Sequence, residues 1–301
     1  MTLSRRDMLK IGFGAAASLA GAKALLAAPE PAAAPATRRP GKPVLIDDVD
    51  LPRKLSVGLE LWSVRQQCEK ELPVVLKAVA KMGYQAVELA HSYYNHSPEQ
   101  WRKLLDENHL RSCGMHMSLA ALEGDAFKKT VEIHKVIGTP YLIVASLPHE
   151  AVASLAAIKK TGERFNAIAD RLAEHNMKVG YHCHGGDFAK VDGTTPWEAI
   201  AESTKPEVIM QIDTGNCMGG GGDPMALIAK YPGRSVSVHL KEHGGKPGAV
   251  LGEGDIKWME LLRLCLKVGG TKQFVIEEEG QEGPAALATV ERALKNLRKL
   301  K

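Results

Sequence analysis

Two histidines, His182 and His184, end the short run Val179-Gly180-Tyr181 and lead into Gly185-Gly186. Neutral imidazole is the commonest nitrogen ligand of divalent metals and also a ready proton carrier. Side chains two apart in an extended chain point the same way, so both rings can face one cavity while Cys183 between them turns into packing. Downstream, Asp213, His239 with Lys241 two residues on, and Glu277 each follow an apolar run; upstream, Glu60, Glu88, His116 and Ser146 do the same. His182, Asp213, His239 and Glu277 would offer a mixed nitrogen and oxygen set, which suits one divalent ion (Mn, Mg, Co, Fe or Zn) and excludes a thiolate-type centre. So many titratable groups would be costly to crowd together unless a cation or a substrate compensates for them. Singly, each also has a purely structural reading: the histidines as satisfied strand-end residues, Asp213 as the cap of the turn-rich Asp213-Thr214-Gly215-Asn216, and Glu277-Glu278-Glu279 as a solvated charge run. Their recurrence every 26 to 38 residues along the chain favours a common site.

What must position them is an alternation of elements. Apolar runs at 55–61, 84–89, 110–118, 141–145, 177–183, 208–212, 235–240 and 274–276 read as strands. Between them lie helical stripes such as Leu72, Val75, Leu76 and Val79, or Phe165, Ile168, Ala169 and Leu172, with starts marked by Pro98, Pro196 and Asp223-Pro224. Strands alternating with helices predict an α/β chain with a parallel sheet, and eight such units predict a closed (β/α)8 barrel, whose active site lies at the C-terminal ends of the strands. The alternative, an open doubly wound sheet, calls for a glycine-rich phosphate turn after the first strand. Trp62-Ser63-Val64-Arg65 stands there instead.

With 45% hydrophobic and 25% charged residues among 301, the composition is that of an ordinary globular chain. Its net charge is +4, of which residues 1–36 contribute +2, so no basic patch argues for nucleic acid as a partner. Ser4-Arg5-Arg6-Asp7 followed by the mildly apolar 11–28 reads as a twin-arginine export signal, so that 1–36 holds the signal and the start of a linker. The Pro/Ala-rich 37–53 then reads as linker and 54–301 as the barrel. A periplasmic location, with no stable membrane anchor after signal cleavage, is the expectation. The five cysteines have no CxxC spacing and read as buried free thiols.

Seven segments in order carry a family resemblance: Val57-Gly58-Leu59-Glu60-Leu61-Trp62-Ser63-Val64-Arg65, Gly83-Tyr84-Gln85-Ala86-Val87-Glu88, Gly180-Tyr181-His182-Cys183-His184, Ile212-Asp213-Thr214-Gly215-Asn216, Val238-His239-Leu240-Lys241-Glu242, Leu251-Gly252-Glu253-Gly254-Asp255-Ile256 and Val275-Ile276-Glu277-Glu278-Glu279. Over 54–299 the chain resembles the xylose isomerase-like barrels of the sugar phosphate isomerase/epimerase superfamily. The resemblance implies one divalent metal on His182, Asp213, His239 and Glu277, with a polyol or keto-sugar bound across it. Ketose epimerases of that superfamily use a pair of glutamates from strands five and eight, and His182 departs from that pattern.

The expected activity is a metal-dependent isomerase or epimerase of an unphosphorylated sugar, keto-sugar or polyol, with a lyase or dehydratase as the alternative. Glu277, His184 or Glu88 would take the proton, Lys241 would steady the developing oxyanion, and His116, Arg65 and Glu60 would hold substrate hydroxyls. An endonuclease IV-like phosphodiesterase and a non-enzymatic sugar-binding barrel are the lesser expectations.

Overall fold

The computed structural model describes residues 55–300; the segments expected to be an export signal and a linker lie outside the described residues. Eight strands pair in chain order and all in parallel: β1 (Val57–Glu60), β2 (Ala86–Ala90), β3 (Arg111–Met117), β4 (Tyr141–Val144), β5 (Lys178–His182), β6 (Ile209–Asp213), β7 (Ser237–Leu240) and β8 (Gln273–Ile276). β8 returns to β1, which closes the expected (β/α)8 barrel.

The helices start and stop where local chemistry dictates. α1 (Arg65–Met82) and α3 (Ala126–Ile137) each end on a left-handed glycine, Gly83 at φ 100° and Gly138 at φ 81°. α2 (Pro98–Glu107) opens with a capping box: Gln100 N–H donates to Ser97 Oγ at 3.2 Å, and Ser97 N–H donates to Gln100 Oε1 at 2.7 Å. α4 (Leu155–Ala173) is capped by Ser154 and α5 (Pro196–Ser203) by Thr195. α6 (Thr214–Gly219) and α7 (Pro224–Lys230) carry Asp213 and Asp223 as caps. α8 (Trp258–Leu264) runs into one π-helical turn, and α9 (Pro284–Lys299) closes the described chain. No helix among the described residues is long and apolar enough to cross a membrane.

Two features depart from the sequence reading. α1 starts at Arg65, seven residues before the stripe, and breaks at Glu71 (φ −151°), because Pro73 lacks the N–H that would continue the helix. The turn after β6 is a short helix of its own, α6, so Asp213 is a strand end and a helix cap at once. All five cysteines are free and buried, as expected.

The main apolar core lies between the sheet and the helices, and includes Leu59, Val87, Leu89, Trp101, Phe165 and Tyr181. Inside the barrel Ala86, Cys113 and Val275 pack as an apolar plug, and Ile143 and Ile209 are buried beside Gly180. Two residues after Ala86 and Val275 the interior turns polar, at Glu88 and Glu277, and a register shift between β2 and β3 brings His116 to the same layer. Register sets Glu60 beside Glu88, His182 beside Gln211 and Asp213 beside His239. Gly114 makes room for this layer, since a Cβ there would lie 2.0 Å from Glu88 Oε1.

Candidate active site and metal centre

Gln211 is the hub of the buried layer, and sequence reasoning missed it. Its Nε2 donates to both oxygens of Glu88 at 3.1 Å and to Ser237 Oγ at 2.9 Å, so its Oε1 is the end that faces the histidines. That oxygen can only accept, from His116 Nε2 at 2.8 Å and from His182 Nδ1 at 3.1 Å. The bonds place the protons on those two nitrogens and leave His182 Nε2 with its lone pair. Burial, followed by the neighbouring His239 and His116, holds His182 well below the usual imidazole range, so it stays neutral, as a ligand must be.

His239 is clasped on both sides. Its Nδ1 lies 2.7 Å from Glu277 Oε2 and its Nε2 lies 2.5 Å from Glu88 Oε2. Burial pulls its pKa down, but the Glu88 and Glu277 carboxylates outweigh burial and hold it well above the ordinary value. A carboxylate on one ring nitrogen with the other aimed at a cluster of donors is how metal-ligating histidines are oriented.

Asp213 supplies the test of whether a cation fits. Its Oδ1 accepts from Asn216 N–H at 2.6 Å and caps α6, while Oδ2 is buried without any hydrogen-bond partner. Burial, then the nearby Glu277, pushes its carboxyl up to about 7. Ligand atoms from His182, Asp213, His239 and Glu277 all lie within 4.8 Å of one another. A buried, unpartnered carboxylate oxygen inside such a set is what a divalent ion would satisfy, so the residues fit the group that the sequence implied.

Above this layer opens a cavity of about 200 Å³. That is smaller than the roughly 300–1,000 Å³ usual for drug-sized ligands, and it suits one small polyol rather than a polymer. Its walls include Glu60, His116, His182, His184 and Glu277, as the sequence placed them, together with Trp62 and His91. His184 is exposed at the mouth, its ring 4.9 Å from that of His182. Asp187 fixes this loop by accepting from His184 N–H and from Tyr181 Oη, each at 2.7 Å.

Three residues expected at the substrate stand elsewhere. Glu88 is fully buried beneath the cavity with both oxygens engaged, which suits orienting His239 rather than taking a proton from a substrate. Lys241 Nζ does not line the cavity; it contacts Asn216 Oδ1 at 3.1 Å, Glu277 Oε1 at 3.4 Å and Glu279 Oε2 at 2.5 Å. Burial opposes its charge, but Glu277 and Asp213 more than compensate and keep it an ammonium. Arg65 lies over the Trp62 ring at 4.2 Å and donates to Trp62 carbonyl oxygen at 2.8 Å, so the indole, and not the guanidinium, faces the cavity.

A closed parallel barrel with an imidazole–carboxylate cluster at its strand ends defines the class. The chain belongs to the xylose isomerase-like TIM barrel family, whose model matches residues 76–300. Among curated proteins it is 25% identical over 190 residues to an inosose dehydratase of Geobacillus kaustophilus, covering 56% of this chain and 61% of that one. It is also 29% identical over 99 residues to the rhizopine catabolism protein MocC of Rhizobium meliloti, covering 33% of this chain and 30% of that one. The matches thus span less than two thirds of either relative. Among solved structures, a sugar phosphate isomerase/epimerase from Parabacteroides distasonis superposes with a TM-score of 0.72 at 22% identity, over 81% of this chain and 96% of that one. The IolI protein with a bound zinc atom superposes with a TM-score of 0.61 at 16% identity, over 81% and 96%. At these identities the two structures speak for the fold.

Proposed function

We propose that this protein is a divalent-metal-dependent lyase that eliminates a β-oxygen substituent, as water or an alcohol, from a small polyhydroxylated ketone such as a keto-sugar or a cyclic keto-polyol. The observation that carries the metal requirement is the partnerless Asp213 Oδ2 among His182, His239 and Glu277. A divalent ion held there would polarise the ketone and lower the cost of removing the adjacent C–H proton.

The remaining work falls to residues of the chain. His184 takes the proton from the carbon next to the carbonyl and returns it to the departing oxygen, the C–H electrons forming the new C=C bond as the C–O bond breaks. The products are an unsaturated ketone and water or an alcohol. Asp187 holds the His184 backbone in place. Glu88 orients His239, and Lys241 holds Glu277 and Glu279 against one another's charge.

Elimination is favoured over epimerisation for one reason of geometry. Epimerisation needs a proton carrier on each face of the substrate, and the fifth-strand position that is glutamate in epimerases holds His182, whose Nδ1 is tied to Gln211 and whose Nε2 would be taken up by the metal. The similarity to inosose dehydratases supports the same reading. The test is to incubate the metal-loaded protein with keto-sugars in D2O. Appearance of the ultraviolet absorption of an enone is expected; deuterium entry with no elimination would instead make the protein an isomerase or epimerase.

A further inference from the structure

Three exposed rings, Trp62, His91 and His184, stand round the mouth of the cavity, and the reaction above uses only His184. Trp62, at 39% exposure, is the one exposed Trp, Tyr or Phe among the described residues. It is nonetheless held fast, since the Arg65 guanidinium lies over the ring at 4.2 Å and donates to the Trp62 carbonyl oxygen at 2.8 Å. His91 stands nearly perpendicular to the indole, the centroids 6.4 Å apart at 77°, so the two rings make a corner at the rim. Keeping His91 there strains the backbone. Its φ of 56° lies in the left-handed region, as do those of Tyr94 at 49° and Asn95 at 56° in the same loop; only three other non-glycine residues among those described do so. The loop is braced against this: His91 N–H donates to the His116 carbonyl oxygen at 3.1 Å, Tyr94 N–H to Ser92 Oγ at 2.9 Å and Trp101 Nε1 to the Tyr93 carbonyl oxygen at 2.9 Å, while Tyr93 Oη meets His134 Nε2 at 3.1 Å. Strain that the surroundings over-determine in this way gathers at ligand sites.

We propose that Trp62 and His91 form a leaving-group subsite: the oxygen that departs carries a ring of its own, a sugar or another cyclic alcohol, and the substrate is a keto-glycoside. This deepens the lyase reading and rests on it for the bond that breaks. With the carbonyl end at the metal set and the proton carrier at the mouth, the departing oxygen lies at the mouth and its substituent projects past the rim. A cavity of about 200 Å³ has room for the ring that bears the ketone and not for a second one. The face of an indole is its negative side, and the C–H bonds of a sugar ring are apolar and weakly positive, so such a ring stacks on Trp62 while its hydroxyls stay in water. Departure of water would leave both rim rings without a partner. Elimination then yields an unsaturated ketone and the free cyclic alcohol: the C–H electrons become the C=C bond, the C–O pair leaves with the oxygen, and the proton held by His184 ends on it. Contact with the rim, remote from the reacting carbon, is binding energy that can be realised as rate.

A ketone at C3 of a glucoside places the C1 oxygen β to it, so methyl 3-keto-β-glucoside and 3-keto-cellobiose, with the ketone in the non-reducing ring, differ only in the alcohol that departs. For the metal-loaded protein, kcat/KM should be about tenfold or more higher for 3-keto-cellobiose, as for one stacked ring. That ratio should fall by about the same factor in Trp62→Ala and in His91→Gly; the intrinsic difference between the two alcohols is the same in every variant and cancels. Glycine suits the backbone at 91, so His91→Gly should melt no lower than the wild type, which separates loss of the ring from loss of the loop. Equal kcat/KM for the two compounds in the wild type, or a ratio that survives both substitutions, would overturn the subsite. Elimination from neither compound would overturn the lyase reading instead, and calorimetric titration with the same pair then decides the subsite by itself. Tighter binding of 3-keto-cellobiose that is lost in Trp62→Ala upholds a ring-binding rim; equal affinities overturn it.

Discussion

Gln211 decides which nitrogen of each buried histidine carries a proton, and through that choice which atoms can meet a metal or a substrate. His184→Asn should lower turnover by about 10²–10⁴-fold, the usual contribution of a positioned proton carrier, with metal content unchanged; steady-state rates and elemental analysis on the same sample check this. Glu88→Gln should weaken metal affinity by about 10–100-fold, since it removes the carboxylate that orients His239, and a chelator competition titration reads the change. Protons also govern loading. Asp213 is raised to about 7 and His239 is held well above its ordinary value, so both must give up protons to a metal. Affinity should therefore rise with pH through about 7 and fall below it, with proton release visible as a dependence of the calorimetric heat on the buffer used. At this scale the cluster was readable, because His182, Asp213, His239 and Glu277 each stand at or near the end of an apolar strand. Gln211 was not, although it sits two residues before Asp213 and so shares its inward face; a lone amide inside Ile209-Met210-Gln211-Ile212 looks like a tolerated polar residue until its partners from four other strands are known. Trp62 was hidden for the opposite reason, as an indole beside Leu61 and Val64 reads as core.

Elements transmit these positions with little slack. β1, β2, β5 and β6 each bring an inward residue to the same height, and the glycine at 114 is part of that arrangement because Glu88 occupies the space a side chain would need. Gly114→Ala should destabilise the fold by about 1–3 kcal/mol and weaken metal affinity as Glu88 is pushed off His239, whereas a substitution at Gly186, where nothing lies within 4 Å, should do neither; thermal melts with and without metal separate the two. The strands were legible because parallel, doubly covered strands are near-continuous apolar runs. Helix starts were legible at Pro98, Pro196 and Asp223, where cap chemistry is local. The true start of α1 and the existence of α6 were not, since one depends on a Pro73 kink inside a continuous stripe and the other on a six-residue helix whose cap is also a ligand.

The whole molecule joins a small polar cavity, a cluster that could hold a divalent metal and, as we propose, an export signal. Lysine in place of both Arg5 and Arg6 should leave the uncleaved precursor inside the cell, read by fractionation and N-terminal sequencing, while an unchanged periplasmic yield would remove the twin-arginine reading. The fold class came through the sequence because eight strand–helix units of similar length leave few other ways to close a sheet. Reaction class did not come through in the same way, because isomerisation and elimination share their first proton transfer and differ in which groups face the second one. The central claim is the metal centre. Elemental analysis of the purified mature protein should find about one divalent ion per chain, and a variant carrying both Asp213→Ala and His239→Ala should hold none while remaining folded. Full retention of the ion in that variant would contradict the account.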